Sequence, residues 1–321
     1  MNIPLPDPAS AAAVVDEQAE VAAHDELILA GTPVGTKTFD TRAERRQARK
    51  ERLQLLIRRP GFIVGVLILA VWIVCAIGGY RITPYDPIND FARPNLPPGS
   101  GGHILGTDQL GRDVLSRVMA GARDVLIAAP IAAVISVAFG SLFGLLMGYY
   151  RGWLDDVLSR IIEALLSIPV ILVALLITTV LGSSRLVVVG TVALLFTPIV
   201  TRTIRAAVLA EAQLDYVTSA KLRGESGFFI MTREIMPNIT GTMVVELTVR
   251  IGYAVFTMAT LSFLGAGIQP PSPDWGLTIS ETYRLIQSGQ WWPTLFPALA
   301  IASLVIATNL VADSIEAVVT T

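Results

Sequence analysis

The sequence predicts an all-α membrane protein, a polytopic bundle of six transmembrane helices. The first observation is composition. Apolar residues make up 53% of the 321 residues and charged residues only 16%, where a soluble domain carries about 25% charged residues. The second is a set of apolar runs at 61–79, 125–149, 161–181, 186–200, 243–265 and 293–312. All but the fourth are long enough to cross a hydrocarbon core of about 30 Å. In lipid each run must be helical, because unpaired backbone groups are too costly there. The third is a regular, mixed-charge segment at 211–238 (EAQLDYVTSAKLRGESGFFIMTREIMPN) between two apolar runs, which implies a contact with something outside the chain.

Two regions follow: a tail at 1–59 and a transmembrane domain at 60–321. Residues 1–40 are rich in Ala, Pro, Asp and Glu without sustained apolar period, and predict a disordered stretch. They do not read as a signal peptide, because no cleavage-type pattern follows the first apolar run. Residues 31–38 (GTPVGTKT) approach a phosphate-binding loop, but Thr36 stands where its second glycine must be and no strand precedes it. This segment therefore does not read as a nucleotide site, and an ATP-driven step would need an ATPase on another chain. Residues 41–59 alternate Arg, Glu and Leu, which suits either a basic helix on the anionic inner leaflet or a solvated tail. Arg42, Arg45, Arg46, Arg49, Lys50, Arg52, Arg58 and Arg59 set the orientation: this end is cytoplasmic. Six spans return the C-terminus to the cytoplasm and put a loop at 205–240 on that side. The segment 80–124 then lies outside, despite Arg81, Arg93, Arg112, Arg117 and Arg123, whose charge Asp108, Asp113 and Asp124 partly offset.

The first span holds the single cysteine, Cys75, which excludes an intrachain disulfide and reads as a small apolar core residue. Residues 80–102, full of proline, glycine and asparagine, form an extended loop. From Asp113 the spacing of Val114, Leu115, Val118 and Met119 predicts an interfacial amphipathic helix leading into the second span, with Thr107-Asp108 as a possible cap. His103 is no metal site, since the only other histidine is His24. In the second span Ser136, Gly140, Gly144 and Gly148 recur every fourth residue, a stripe that lets helices approach backbone to backbone. Pro169 and Pro198 bend spans three and four. Glu246 and Arg250 form a one-turn pair near the inner interface of span five. Glu163, Glu246 and Asp313 read as interfacial or packing charges. Gly265 and Gly267 end span five, and Trp275, Trp291 and Trp292 read as an interfacial belt.

Residues 103–123 (HILGTDQLGRDVLSRVMAGAR), 148–169 (GYYRGWLDDVLSRIIEALLSIP), 211–238 and 261–276 (LSFLGAGIQPPSPDWG), in that order, resemble the C-type permease subunits of dipeptide and oligopeptide ABC importers. The resemblance runs from about residue 60 to the C-terminus. In the third block Asp215-Tyr216-Val217, Ala220, Gly224 and Pro237-Asn238 fit the family's coupling loop, while Thr218-Ser219 and Glu234-Ile235 depart from it. The resemblance implies the type I importer architecture with a cytoplasmic coupling helix. It implies docking on an ATPase through Asp215, Tyr216, Ser219, Ala220, Leu222, Arg223, Gly224, Phe228 and Pro237, with Ala220 close against the ATPase groove and Gly224 at a turn that a side chain would obstruct. Gly140, Gly144 and Gly148 remain the helix-packing residues.

The implied partners are a homologous B-type permease subunit, two ATPase domains, an extracytoplasmic peptide-binding protein, a peptide substrate and membrane lipid, with no nucleic acid. No covalent chemistry and no cofactor belong to this chain; ATP and Mg sit on the ATPase subunits. The setting is the plasma (inner) membrane. Similar subunits also carry nickel chelates and glutathione. A secondary transporter would want a midplane ion-binding carboxylate and repeat-related broken helices, neither of which is evident in the sequence.

Overall fold

The computed structural model describes residues 56–319. The expectations for the tail to residue 55, the near-phosphate loop among them, lie outside the described residues. Nine helices order the rest: α1 (Pro60–Gly78), α2 (Val114–Tyr150), α3 (Trp153–Leu166), α4 (Val170–Leu181), α5 (Arg185–Glu211), α6 (Asp215–Leu222), α7 (Gly227–Phe263), α8 (Trp275–Thr282) and α9 (Trp292–Val319). Five are long and apolar enough to cross a membrane: α1, α2, α5, α7 and α9. The expected third span is instead two helices, α3 and α4, bent by 86°. The break is Ser167-Ile168-Pro169: proline disfavours the helical conformation at the residue before it and lacks an N–H to continue the ladder. Counting that pair as one span makes six.

The helices outrun the apolar runs that announced them. The second is 37 residues long and starts at Val114, so the separate interfacial helix expected there is the buried first part of α2. Its N-cap is Asp113, which accepts from Ser116 N at 2.7 Å; Asp108 instead closes the preceding turn, accepting from Leu110 N and Arg112 N at 2.9 Å. The fifth begins at Gly227, well before residue 243. Glu246 and Arg250 do pair, Oε2 to Nη2 at 2.8 Å, in the middle of helix α7. Arg250 also stacks over Phe196 of α5 at 5.9 Å.

The closest seam runs between α2 and α5. A Cβ added at Gly140, Gly144 or Gly148 would come within 2.6 Å of Val200, 2.8 Å of Ile204 and 2.7 Å of Val208, respectively. Two rows of equal pitch, glycine against β-branched residue, thus interlock. On the far side α1 packs on α9, where a Cβ at Gly65 would meet Ala307 O at 2.8 Å and Trp72 Nε1 donates to Ser303 Oγ at 3.0 Å.

Buried residues form two cores, called outer and inner after the orientation expected from the sequence. The outer one joins the start of α2 to α5, α7, α8 and α9 through Val118, Val192, Phe196, Met258, Leu261, Trp275 and Leu304. Trp275 is 1% exposed and donates to Val118 O at 2.9 Å, and buried Trp292 donates to Thr107 O at 3.0 Å. They are core anchors rather than a belt; of the three tryptophans expected at the interface only Trp291 is exposed. The inner core gathers Val200, Ile204, Val208, Val217, Ala220, Ile230 and Ile235.

Candidate coupling surface

The inner end of the bundle is built from α5, α6 and the start of α7. Helix α5 ends at Glu211, and Leu214 starts α6 without a side-chain cap, with Asp215 in its first turn. Lys221 sits in its last turn; both charges suit the helix dipole. The helix stops in a left-handed turn. Gly224 has φ +77°, Gly224 N donates to Lys221 O at 3.0 Å, and Glu225 N donates to Ala220 O at 3.2 Å. Nothing lies within 4 Å of a Cβ built at Gly224. A side chain there would therefore be opposed by backbone strain, not by obstruction. Ser226 then caps α7, accepting from Phe229 N at 3.2 Å. Residues Ile230–Ile235 form a π turn just before Pro237. Its wider ladder falls where the proline ring would otherwise meet the carbonyl of Arg233.

A polar clamp closes this hairpin of helices. Tyr216 Oη donates to Glu211 Oε2 at 2.6 Å, and Asn238 Nδ2 donates to Tyr216 Oη at 3.1 Å and to Glu234 O at 2.8 Å. Burial, with the Glu211 carboxylate beside it, pushes the Tyr216 phenol up to about 12. Below the loop, Asp155 of α3 receives a bidentate fork from Arg205 of α5, at 2.6 and 2.7 Å. Lys221 lies over the Tyr149 ring at 5.4 Å, which ties the loop to the end of α2.

The two faces of α6 differ. Val217 and Ala220 are both 0% exposed and face Ile230, Met231 and Ile235 of the same chain. Ala220 therefore belongs to this subunit's own core and is not available to a groove on another protein. Its role as a direct contact is corrected by that burial. Asp215, Ser219, Leu222, Arg223, Gly224, Phe228 and Pro237 are exposed, and Tyr216 is half-buried in its clamp. Leu222 is 85% exposed and Phe228 72% exposed. Leu214 and Phe229, which sequence reasoning passed over, join them. Their signal was available: large apolar residues in a segment outside every apolar run. The outer face of the hairpin is thus a small apolar ridge bordered by Asp215, Lys221 and Arg223, suited to insertion in a protein groove.

Residues 140–320 match the family described as the binding-protein-dependent transport system inner membrane component. The chain is 41% identical to the "Dipeptide transport system permease protein DppC" of Escherichia coli (strain K12) over 269 residues, covering 81% of this chain and 88% of that protein. It is 35% identical to the "Di/tripeptide transport system permease protein DppC" of Pseudomonas aeruginosa (strain UCBPP-PA14), covering 83% and 90%. The corresponding dipeptide permease of Haemophilus influenzae is 35% identical, covering 80% and 88%.

Proposed function

The chain belongs to the inner-membrane components of binding-protein-dependent transport systems, and from that membership we propose that it is half of the translocation pathway of an ATP-driven importer of short peptides. The single observation that carries the coupling role is the exposed ridge of Leu222 and Phe228 on a hairpin whose other face is fully packed. An apolar ridge outside the membrane runs is costly to leave in water and fits a partner's groove.

The partner is an ATPase pair that holds ATP and Mg. A homologous permease supplies the other half of the path, and a peptide-binding protein delivers cargo to the outer face. When the ATPases close, they carry the ridge with them. Val217 and Ala220 pass the displacement to Ile230 and Ile235 of α7, and the Tyr216 clamp passes it to α5. The α2–α5 seam has no slack at Gly144, so α2 moves with α5. The bundle then rocks as a body between two packings rather than deforming. The subunit itself does no covalent chemistry.

Both termini and the α6 hairpin are assigned to the cytoplasm from the arginines before residue 60. In a Cys75→Ser background, a cysteine at Ser226 is expected to react only with reagent supplied inside, and one at Ser272 only with reagent supplied outside. Labelling of both from one side overturns the topology.

Uptake of labelled peptides of graded length by the reconstituted complex tests the substrate assignment. ATP-dependent accumulation of dipeptides and tripeptides is the expected result. Accumulation without ATP, or of no peptide at any length, contradicts it.

A further inference from the structure

A cavity of about 830 Å³ opens between the outer end of α1 and the facing part of α2. Its walls are apolar: Ile73 and Ile77 from α1, Leu126 and Ile127 from α2. Its rim is basic: Arg81 follows α1, Arg123 projects from α2, and the Tyr80 phenol stands beside them. The turn after α1 brings the rim together. A Cβ built on Gly79 would lie 3.9 Å from an Arg123 guanidinium nitrogen.

The neighbouring charges do not account for these two arginines. Arg112 and Arg117, in the same outer segment, are engaged by Asp108 and Glu281. Asp124, next to Arg123 in sequence, is held by Arg185 and accepts from Ser272 Oγ at 2.7 Å. Arg81 and Arg123 are exposed and form no ion pair among the described residues. Basic residues are disfavoured on the outer side of a span. Two of them above an apolar trough, at the end of a membrane helix, match one ligand chemistry from head to tail. A guanidinium fork suits the oxygens of a phosphate, and the trough suits hydrocarbon.

We propose that this cavity is a phospholipid site, with the lipid phosphate between Arg81 and Arg123 and an acyl chain along Ile73, Ile77, Leu126 and Ile127. A soluble phosphate compound would use the rim alone. A second polypeptide seated there would cover the trough with side chains instead. The assignment does not depend on what the complex transports.

The test uses the intact transporter complex, stripped of lipid in detergent and titrated with three probes. These are phosphatidylglycerol, water-soluble glycerol phosphate, and a diglucosyl diacylglycerol with the same tails and no phosphate. Retained adducts are counted by native mass spectrometry and stability is followed by melting temperature. Phosphatidylglycerol is expected to bind and to raise the melting temperature, and neither of the other probes to match it. Arg81→Gln with Arg123→Gln is expected to weaken that binding by about thirtyfold. Ile77→Trp, which fills the trough and keeps both charges, is expected to weaken it too. Should the arginine variant fail to assemble, Ile77→Trp decides alone, since Ile77 is 82% exposed and its replacement disturbs no core. Three results overturn the proposal: unchanged phosphatidylglycerol binding in the variants, equal stabilisation by glycerol phosphate, or cross-linking of a cysteine at Ile77 to the partner permease.

Discussion

At the outer end of the bundle, Arg117 is 1% exposed and donates to Pro87 O, Ser272 O and Thr278 Oγ1, while Arg112 bridges Asp108 at 2.6 Å and Glu281 at 2.7 Å. Buried Nδ1 of His103 meets Asp113 Oδ1 at 2.8 Å, and two tryptophans donate to backbone carbonyls. At the inner end the order is reversed. The contacts beneath α6 are apolar, Val217 and Ala220 on Ile230 and Ile235, with the Tyr216 clamp and the Arg205–Asp155 fork at their flanks, while Leu222 and Phe228 face outward. The outer cap is pinned by groups that cannot be removed singly without leaving a charge stranded. The inner hairpin is a compact plug whose unsatisfied surface points away from the chain. The first arrangement holds the cap together through buried polar groups; the second leaves its apolar side chains free for a contact outside the chain, as the proposed coupling role requires.

The largest expected effect would break the outer half of that comparison. Asp108→Ala leaves Glu281 as the one carboxylate beside the buried Arg112 and Arg117 and is expected to cost roughly 3 kcal/mol, read as loss of extractable folded subunit. A normal yield would show that the charges are not structural. Next is the seam that links the two ends. Gly144→Leu adds a side chain where even a Cβ would lie 2.8 Å from Ile204, at an expected cost of about 3 kcal/mol in thermal stability. Leu142→Ala, at a half-exposed position, is expected to be mild.

Two substitutions on one helix sharpen the inner half. Ala220→Arg forces a charge into the hairpin's core and is expected to destabilise the subunit by about 2 kcal/mol or more. Ser219→Arg, on the exposed face, is expected to leave its melting temperature unchanged and to reduce uptake. Equal melting temperatures for the two variants would mean that the faces of α6 are assigned the wrong way round.

The smallest effect is a pH dependence in the outer cap. Asp274 caps α8, accepting from Leu277 N at 2.9 Å, and burial pushes its carboxyl up to about 6. Its folded value lies above the ordinary unfolded one, so its contribution is fully present below about pH 4 and is lost as pH rises through about 6. The cap's stability is expected to fall between about pH 4 and pH 6 by roughly 3 kcal/mol, read as a falling melting temperature. Asp274→Asn is expected to flatten that slope. A slope unchanged in the variant would assign the titration to another group.

The spans were legible because lipid compels both apolarity and helix. Their ends were not, because hydropathy marks the membrane rather than the helix. Thus α5 runs on to Glu211 and α7 starts at Gly227, through polar residues that water or protein covers. Pro169 and Pro198 look alike in sequence, yet one breaks its span by 86° and the other sits inside α5. Trp275 and Trp292 carried the composition of an interfacial belt; that they plug the outer core depends on partners more than 150 residues away in the chain, Val118 O and Thr107 O. The inward face of α6 was closer to readable. Val217 and Ala220 stand three apart among Thr218, Ser219 and Lys221, a spacing that already puts both on one side.

The claim that the inner ridge receives the ATPase is tested most directly by co-purification. Leu222→Asp with Phe228→Asp places two carboxylates on the exposed ridge without touching the hairpin core. The subunit and its partner permease are expected to extract and melt as in the wild type, with the ATPase subunits lost and ATP-dependent uptake abolished. Retention of the ATPases at wild-type stoichiometry with undiminished uptake would contradict the account.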